Sequence, residues 1–160
     1  MRPSEPIRLC EAGERSDVLA LLAACGLPSD GLADHWATAW VAVDSGSPAK
    51  VLGSVALEIY GKAALLRSLA TRPDQRSRGL GHALFEFAIE RASDRGVDAV
   101  ALLTTTAEPF FARRGFETVP RDVLPASLQA SAEFRGACPA SAVAMVRRSA
   151  RLAAPSGPSC

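Results

Sequence analysis

A basic segment with two glycines, near the middle of the chain, has the residue types that bind phosphate. It reads R-S-R-G-L-G at residues 76–81, between an apolar strand-like run and a long helical pattern. Glycines let an anion approach the backbone closely, and a helix N-terminus directs N–H groups and the positive end of its dipole toward that anion. The segment lacks the G-K-[ST] of a P-loop and the G-x-G-x-x-G of a Rossmann fold. We expect it to bind a pyrophosphate; the alternative is a solvated basic turn that only caps a helix.

The composition argues against several other kinds of site. The chain has 160 residues, of which 48% are hydrophobic and 22% are charged, a balance that fits one domain with a sizeable core. With 18 basic and 17 acidic residues the net charge is +1, which argues against nucleic acid or an anionic membrane as the main partner. Two histidines and four scattered cysteines without a C-x-x-C pair argue against a zinc finger, a redox dithiol and a disulfide framework, so no metal is expected.

The ends of the chain give expectations about location and domain organisation. Met1–Pro6 lacks an apolar signal core, and no apolar run reaches the roughly 18 residues of a membrane span, so a cytoplasmic location is expected. Residues 1–150 are expected to form a single domain. Residues 151–160, rich in Ala, Pro, Ser and Gly, are expected to be a disordered tail.

Hydrophobic periodicity predicts the strands and helices that hold the basic segment. Before it, we expect a helix over Asp17–Cys25, a short second helix within Gly31–Thr38, and strands over Ile7–Cys10, Trp40–Val43, Val51–Tyr60 and Ala63–Thr71. After it, we expect helices from Leu80 to about Arg95 and over Ala107–Arg114, strands over Val97–Leu103, Phe116–Val119 and Ser141–Val146, and an irregular stretch over Pro120–Pro139 with one helical turn near Pro125–Ala130. The last three strands before the segment are expected to form an antiparallel meander.

Three motifs, in the right order along the chain, resemble those of the GNAT N-acetyltransferase superfamily. Residues 76–81 match its acetyl-CoA pyrophosphate loop, R-x-x-G-x-G. Leu65–Pro73 looks like its fourth strand, and Phe110–Phe116 resembles its F-Y-x-x-x-G-F helix and turn. Across about Ile7–Arg147 the resemblance implies an α/β (α+β) fold: a mixed, mostly antiparallel sheet of six to seven strands, splayed between the fourth and fifth strands, with about four flanking helices. It also implies acetyl-CoA as co-substrate, a small-molecule amine as acceptor and a homodimer, which is common in the superfamily.

A narrower resemblance concerns the acceptor. The stretches that carry it are Leu66–Ala70, Leu102–Ala107, Glu133–Phe134 and Cys138–Ala142. They look like the N-acetyltransferases encoded in arsenic-resistance gene clusters, relatives of the N-acetylglutamate synthases, and resemble enzymes that acetylate phosphinothricin and its arsenic analogue arsinothricin. The resemblance implies acetyl transfer to the amine of a small amino acid or a glutamate-like analogue, in the setting of arsenic resistance.

The superfamily resemblance also implies which residues contact acetyl-CoA. The pantetheine arm is expected to pair with the backbone of the fourth strand, where the N–H of Leu69 polarises the thioester carbonyl. The expected contacts are Leu69, Ala70, Thr71, Arg76, Ser77, Arg78, Gly79, Leu80, Gly81, His82, Phe110 and Phe111. For Phe110 and Phe111, packing in the core is the open alternative.

Two charged residues in apolar strands are assigned to the acceptor. Glu58 is expected to take a proton from the amine, directly or through a water, or to contact the ammonium group. Arg67 is expected to bind a carboxylate or phosphinate with its fork of donors. The open alternatives are a solvent-facing Glu58, a surface Arg67, or an ion pair between the two, since an unpaired buried charge is costly.

The remaining acceptor-side assignments are less specific. They are Ser68, Thr104, Thr105, Arg121 and Cys138. For the threonines the alternative is a local cap at a strand end, for Arg121 a loop on the surface, and for Cys138 a small buried side chain.

The usual acid of the superfamily is missing. Many members place a tyrosine on the last helix to protonate the leaving thiolate, and Phe111 stands at that position here. Tyr60 or a threonine hydroxyl is the expected substitute; otherwise the thiolate leaves unprotonated, since a thiol pKa of about 8.5 permits this.

Two other functions stay open. A non-catalytic acyl-CoA sensor keeps the same fold, because fold does not fix function. An acetyltransferase for a polyamine, an aminoglycoside or a protein N-terminus also keeps the fold, although Arg67 in an acceptor pocket opposes a polycation.

Overall fold

The computed structural model describes residues 6–46 and 49–148 of the chain. The expected disordered tail lies outside these residues, as do Ser47 and Pro48. Seven strands are present: β1 Ile7–Leu9, β2 Ala39–Val43, β3 Val51–Tyr60, β4 Ala63–Thr71, β5 Ala99–Thr104, β6 Glu117–Val119 and β7 Val143–Arg148. Three α-helices accompany them in the described part of the chain: α1 Arg15–Ala24, α2 Leu80–Asp94 and α3 Glu108–Ala112.

The strands form one mixed sheet in the order β1-β2-β3-β4-β5-β7-β6. Antiparallel pairing joins β1 to β2, β2 to β3, β5 to β7 and β6 to β7. Strand β4 pairs with β5 in parallel, from Ala63↔Ala99 to Leu65↔Ala101. This register ends at Leu65, whereas β4 continues to Thr71, which is the part of the strand where the splay is predicted. The predicted mixed sheet of six to seven strands is confirmed.

The described residues fall into two compact units: those up to residue 57 together with 67–88, and residues 58–66 together with those from 89 onward. Strands β3 and β4 and helix α2 each contribute residues to both units. The prediction of a single domain over residues 1–150 stays a prediction.

Each unit has its own apolar core. In the first unit, α1 buries one stripe of side chains, Val18, Leu21 and Leu22, at the spacing of successive helical turns. These pack with Cys10, Leu32, Ala39, Val41, Val43, Val51, Ala56 and Ala70. The core of the second unit comprises Ala63, Leu65, Ala99, Ala101, Leu124, Leu128, Ala144 and Val146.

The sequence predicted most elements to within a few residues and two of them with their observed bounds, β3 and β4. The predicted second helix within Gly31–Thr38 is wrong. Two short 3-10 turns, Leu32–Asp34 and Trp36–Thr38, stand there instead. They do not merge because His35, which lies between them, has φ −130° and ψ +20° and so does not continue a helix.

Two predicted strands begin too early. Val97 donates its N–H to Ala92 O in the turn that follows the end of α2, and β5 starts only at Ala99. Ala142 donates its N–H to Pro139 O in a turn, so β7 starts at Val143 and runs to Arg148.

Candidate functional site

The basic segment lies in the connection from β4 to α2. A short 3-10 turn at Pro73–Gln75 leaves the strand, and the helix begins at Leu80. Between them the backbone is left-handed at Ser77 (φ +68°) and Gly79 (φ +80°). Left-handed backbone is uncommon for a serine and easy for a glycine, so the shape of this loop depends on Gly79.

The first hydrogen bond of α2 runs from Ala83 N to Gly79 O, at 3.0 Å. The N–H groups of the first helical turn have no acceptor inside a helix, and the positive end of the helix dipole lies there. The side chains of Arg76, Ser77 and Arg78 are exposed at this end of the helix. The loop therefore combines exposed guanidinium groups with a helix N-terminus, which is an arrangement that suits an anion.

The other predicted loop residues differ in exposure. Leu80 is buried and anchors the helix in the core, so a ligand contact from this residue has to come from its backbone. Gly81 is partly buried, and a Cβ atom there would lie 3.9 Å from Thr71 Cγ2. His82 is exposed, with its Nε2 3.9 Å from the carboxylate of Glu86.

A glycine that the sequence analysis did not single out brings β3, β4 and α2 close together. A Cβ atom at Gly53 would lie 2.8 Å from Leu84 Cδ1 and 2.9 Å from Ala70 O. Since no real side chain tolerates such contacts, only glycine fits at this point of β3. The available signal was a glycine inside a strand pattern, which often marks a close approach of another backbone.

Strand β4 contains a left-handed residue, Ser68, with φ +60°. The conformation is held from two sides: Ser54 Oγ donates to Ser68 O at 2.8 Å, and Arg67 Nε donates to Ser68 Oγ at 3.2 Å. A left-handed residue interrupts the alternation of a strand. It lies directly before Leu69, Ala70 and Thr71, the residues predicted to meet the pantetheine arm.

Arg67 is buried, with 3% of its surface exposed, so the alternative of a surface arginine is wrong. Its Nη1 donates to Asp30 O at 2.7 Å, and its Nη2 donates to Pro28 O at 3.1 Å. Backbone carbonyls of the chain therefore accept from both ends of the guanidinium fork that was assigned to a substrate carboxylate.

Cys25, which directly follows α1, lies beside Thr71, the last residue of β4. Its thiol donates to Thr71 O at 3.7 Å, and Arg76 Nη2 donates to its sulfur at 3.5 Å. The structure thus brings the basic loop, the end of β4 and the end of α1 together. The sequence analysis did not assign Cys25 a role.

In the second unit, Glu58 and Tyr60 form a pair. Glu58 is fully buried, so the alternative of a solvent-facing residue is wrong. Tyr60 Oη donates to Glu58 Oε1 at 2.5 Å. The predicted base and the first candidate for the predicted acid are therefore hydrogen-bonded to one another.

Thr104, the last residue of β5, holds the turn that leads into α3. Thr104 Oγ1 accepts the N–H of Ala107, which stands at the N-cap of α3. Thr105 and Thr106 are exposed. The local-cap alternative describes Thr104 in this structure.

The aromatic residues of α3 and the turn after it pack on one another. Phe111 is buried and lies edge-on to Phe110, with ring centres 5.0 Å apart, and to Phe116, at 5.7 Å. The guanidinium of Arg114 covers Phe110, 3.6 Å from the ring centre. The core-packing alternative thus accounts for Phe111, while Phe110 is partly exposed.

Arg121 and Cys138 belong to the stretch between β6 and β7. Arg121 Nη2 donates to Pro139 O (3.0 Å) and Ala142 O (2.8 Å), so this arginine fastens the approach to β7 and is only partly exposed. Cys138 is buried. Its predicted place in an acceptor pocket stays a prediction.

Residues 6–46 and 49–148 hold no group of three or more His, Cys, Asp or Glu side chains arranged to bind a metal ion. They also hold no helix long and apolar enough to cross a membrane.

Comparison with protein families identifies the class. Residues 35–118, more than half of the chain, match the acetyltransferase (GNAT) domain. The chain therefore belongs to the GNAT acetyltransferase family. A curated relative, an uncharacterized N-acetyltransferase of Chlorobaculum tepidum, is 35% identical over 77 residues, which cover 48% of this chain and 49% of that protein. The match thus spans about half of the relative's length.

Solved structures share the fold. N-acetylglutamate synthase from Neisseria gonorrhoeae, solved with coenzyme A and N-acetyl-glutamate, superposes with a TM-score of 0.77 and 24% identity over 92% of this chain and 36% of that one. The protein Rv2747 from Mycobacterium tuberculosis, solved in complex with CoA, superposes with a TM-score of 0.74 and 20% identity over 90% of this chain and 99% of that one. These likenesses concern the fold.

Proposed function

We propose that the chain is an acetyl-CoA-dependent N-acetyltransferase whose acceptor is the amine of a small amino acid or a glutamate-like analogue. The observation that carries the proposal is the loop before α2. This chain is a member of the GNAT family, and its R-x-x-G-x-G segment lies between the end of β4 and the N-terminus of α2, with left-handed backbone at Ser77 and Gly79.

The residues of this loop fit a pyrophosphate. Gly79 adopts a left-handed conformation and bears no side chain that would block an anion. Arg76 and Arg78 supply exposed positive charge beside the first turn of α2. Acetyl-CoA supplies an acetyl thioester when bound. The chain's part is to hold its diphosphate at the loop and its arm along Leu69–Thr71.

Glu58 is proposed to accept the proton that the acceptor amine must lose. Its burial keeps water away from the carboxylate, and Tyr60 fixes one of the two carboxylate oxygens with a hydrogen bond. The carboxylate of Glu58 is the group to which we assign this proton. The main role that we propose for Tyr60 is to orient Glu58, because its hydroxyl group donates a hydrogen bond to that carboxylate.

The amino-acid acceptor is supported by similarity and not by a contact in this chain. The Neisseria gonorrhoeae enzyme was solved with N-acetyl-glutamate in one structure and with L-arginine in another. A role in arsenic resistance rests on the narrower resemblance of the stretches around Leu66–Ala70 and Cys138–Ala142. A cytoplasmic location is also proposed, and it fits the lack of a disulfide among the described cysteines Cys10, Cys25 and Cys138.

A second candidate is a non-catalytic acyl-CoA sensor. Phe111, at the position of the usual acid, is buried among aromatic rings and has no proton to give. A sensor would bind acetyl-CoA and transfer nothing.

The acceptor class is tested by mass spectrometry of products formed from acetyl-CoA and single amines. The amines are glutamate, phosphinothricin, arsinothricin, methionine sulfoximine, spermidine and an aminoglycoside. We expect N-acetylated product from the glutamate-like compounds. Product from spermidine or the aminoglycoside alone would overturn the amino-acid assignment while keeping the enzyme class.

A further inference from the structure

The segment of residues 25–30, which follows α1, runs beside β4 and is held at both of its ends. Arg67, inside β4, donates to the carbonyls of Pro28 and Asp30. Cys25 donates to the carbonyl of Thr71, the last residue of the strand. These contacts all belong to the first unit of the chain.

We propose that Arg67 is a positioning residue that fixes residues 25–30 along the part of β4 to which the CoA arm is assigned. Its contribution to the reaction is then to shape the wall of the cofactor site, and not to contact a substrate carboxylate. The place of the CoA arm along β4 rests on the proposed function. The fixing of residues 25–30 by Arg67 rests on the hydrogen bonds given above.

The chemistry of the guanidinium supports this role. A buried positive charge is retained only with oriented acceptors around it. Two backbone carbonyls and the hydroxyl of Ser68 accept from three different nitrogens of Arg67. The planar fork sets the separation and direction of the two carbonyls, which the single ammonium group of a lysine does not reproduce.

The same side chain links the segment to the irregular point of β4. Nε of Arg67 donates to the Oγ of Ser68, the left-handed residue just before Leu69. Removing the guanidinium of Arg67 therefore loosens residues 28–30 and also removes the hydrogen bond that Arg67 donates to the hydroxyl of Ser68. Both changes lie next to the backbone that is assigned to the thioester and the pantetheine arm.

The other end of the segment reaches the pyrophosphate loop. Arg76 Nη2 donates to Cys25 Sγ at 3.5 Å, so movement of residues 25–30 is transmitted to a side chain of that loop. A change at Arg67 should therefore weaken the binding of CoA, although Arg67 is not itself among the residues assigned to contact CoA. A residue that contacted only the acceptor carboxylate would leave the affinity for CoA unchanged.

The test compares Arg67→Lys with Arg91→Lys in the full chain. Arg91 lies on α2, where it pairs with the exposed Glu90 and Asp94. Two readouts are used: the calorimetric affinity for CoA alone, and deuterium exchange of the N–H groups of residues 26–31. We expect Arg67→Lys to weaken CoA binding by about fivefold or more and to speed exchange in this segment, and Arg91→Lys to change neither.

Unchanged CoA affinity and exchange in Arg67→Lys, with a raised KM for glutamate, would overturn the inference and restore the carboxylate contact. If Arg67→Lys fails to fold, Pro28→Gly takes its place in both measurements, because it loosens residues 25–30 while keeping the buried guanidinium of Arg67. Faster exchange with weaker CoA binding supports the inference, and faster exchange with unchanged binding overturns it. If the unaltered chain does not bind CoA, the proposed function fails and the CoA part of this inference fails with it, while the exchange comparison still decides whether Arg67 fastens the segment.

Discussion

Tyr60 donates a 2.5 Å hydrogen bond to Glu58, two residues before it on the same face of β3. Tyr60 is the only tyrosine of the chain, and Glu58 is fully buried. The candidate base is thus fixed by the residue that the sequence offered as the candidate acid. On this arrangement rests our proposal that Glu58 removes the proton and Tyr60 orients Glu58, with no tyrosine for the departing thiolate.

Glu58→Gln should lower kcat by about a hundredfold or more, because an amide cannot accept the proton of the amine. The amide keeps the size of the side chain, so the affinity for CoA should stay the same. Steady-state rates and calorimetry with CoA measure the two effects. Glu90→Gln, on the exposed face of α2, is the control. An unchanged kcat in Glu58→Gln would remove Glu58 from the mechanism.

Tyr60→Phe should lower kcat less than Glu58→Gln does, because the carboxylate remains and only its orientation is lost. Losing a hydrogen bond to a charged group should also cost about 1.5–3 kcal/mol of the free energy of unfolding. Rates and urea unfolding of the two single variants and of the double variant measure this. If Tyr60 acts only through Glu58, the double variant should be no slower than Glu58→Gln. A further large drop in the double variant would give Tyr60 a role of its own.

Gly79→Ala and Gly96→Ala form a matched pair for the pyrophosphate loop. Both glycines are left-handed, with φ +80° and +77°, so each substitution should destabilise the fold by about 1 kcal/mol. Gly96 follows the end of α2 and Gly79 precedes its start, so only Gly79→Ala should weaken CoA binding. Thermal unfolding and calorimetry separate the two effects. Equal CoA affinity in the two variants would contradict the loop assignment.

The ion pair between Arg8 and Glu14 should make stability depend on pH. The Arg8 guanidinium, 2.6 Å from the carboxylate, lowers the pKa of Glu14 below its usual range. A carboxyl group whose pKa is lowered by folding contributes stability above its unfolded pKa of about 4.3, and this contribution is lost as the pH falls through the folded pKa. Glu14→Gln should therefore cost about 0.5–1 kcal/mol at pH 7, a small value because Arg8 is partly exposed to solvent. Urea unfolding should show this difference between the two proteins shrinking below about pH 4; a difference of the same size at pH 3 would contradict the assignment.

The described thiols should differ in reactivity. Burial raises the pKa of Cys10 to about 11, so little thiolate forms there at pH 8. Cys25 is partly exposed and lies beside Arg76. Iodoacetamide at pH 8, followed by peptide mapping, should modify Cys25 well before Cys10. Cys10 should become reactive after unfolding in urea, and faster labelling of Cys10 in the folded protein would contradict its burial.

The sequence predicted what depends on local pattern and missed what depends on tertiary contact. The hydrophobic patterns of β3 and β4 are local signals, and both strands have their predicted bounds. The glycine-containing loop also lies before α2 as predicted, while its binding of a pyrophosphate stays a prediction. The environment of Arg67 was not predictable in the same way. Its acceptors are backbone carbonyls 37 and 39 residues earlier in the chain, and no side-chain pattern indicates a carbonyl. Likewise, Ala70 O lies where it would be 2.9 Å from a Cβ atom at position 53, and this closeness follows from the packing of three elements and not from the glycine alone.

The most direct test of the proposed acetyltransferase activity is the release of free thiol from acetyl-CoA in the presence of single amines. We expect thiol release with glutamate or with its phosphinate and arsenic analogues, and we expect Glu58→Gln to abolish this release. Stabilisation of the fold by acetyl-CoA with no thiol release from any amine of the panel would contradict the enzyme assignment and favour the sensor.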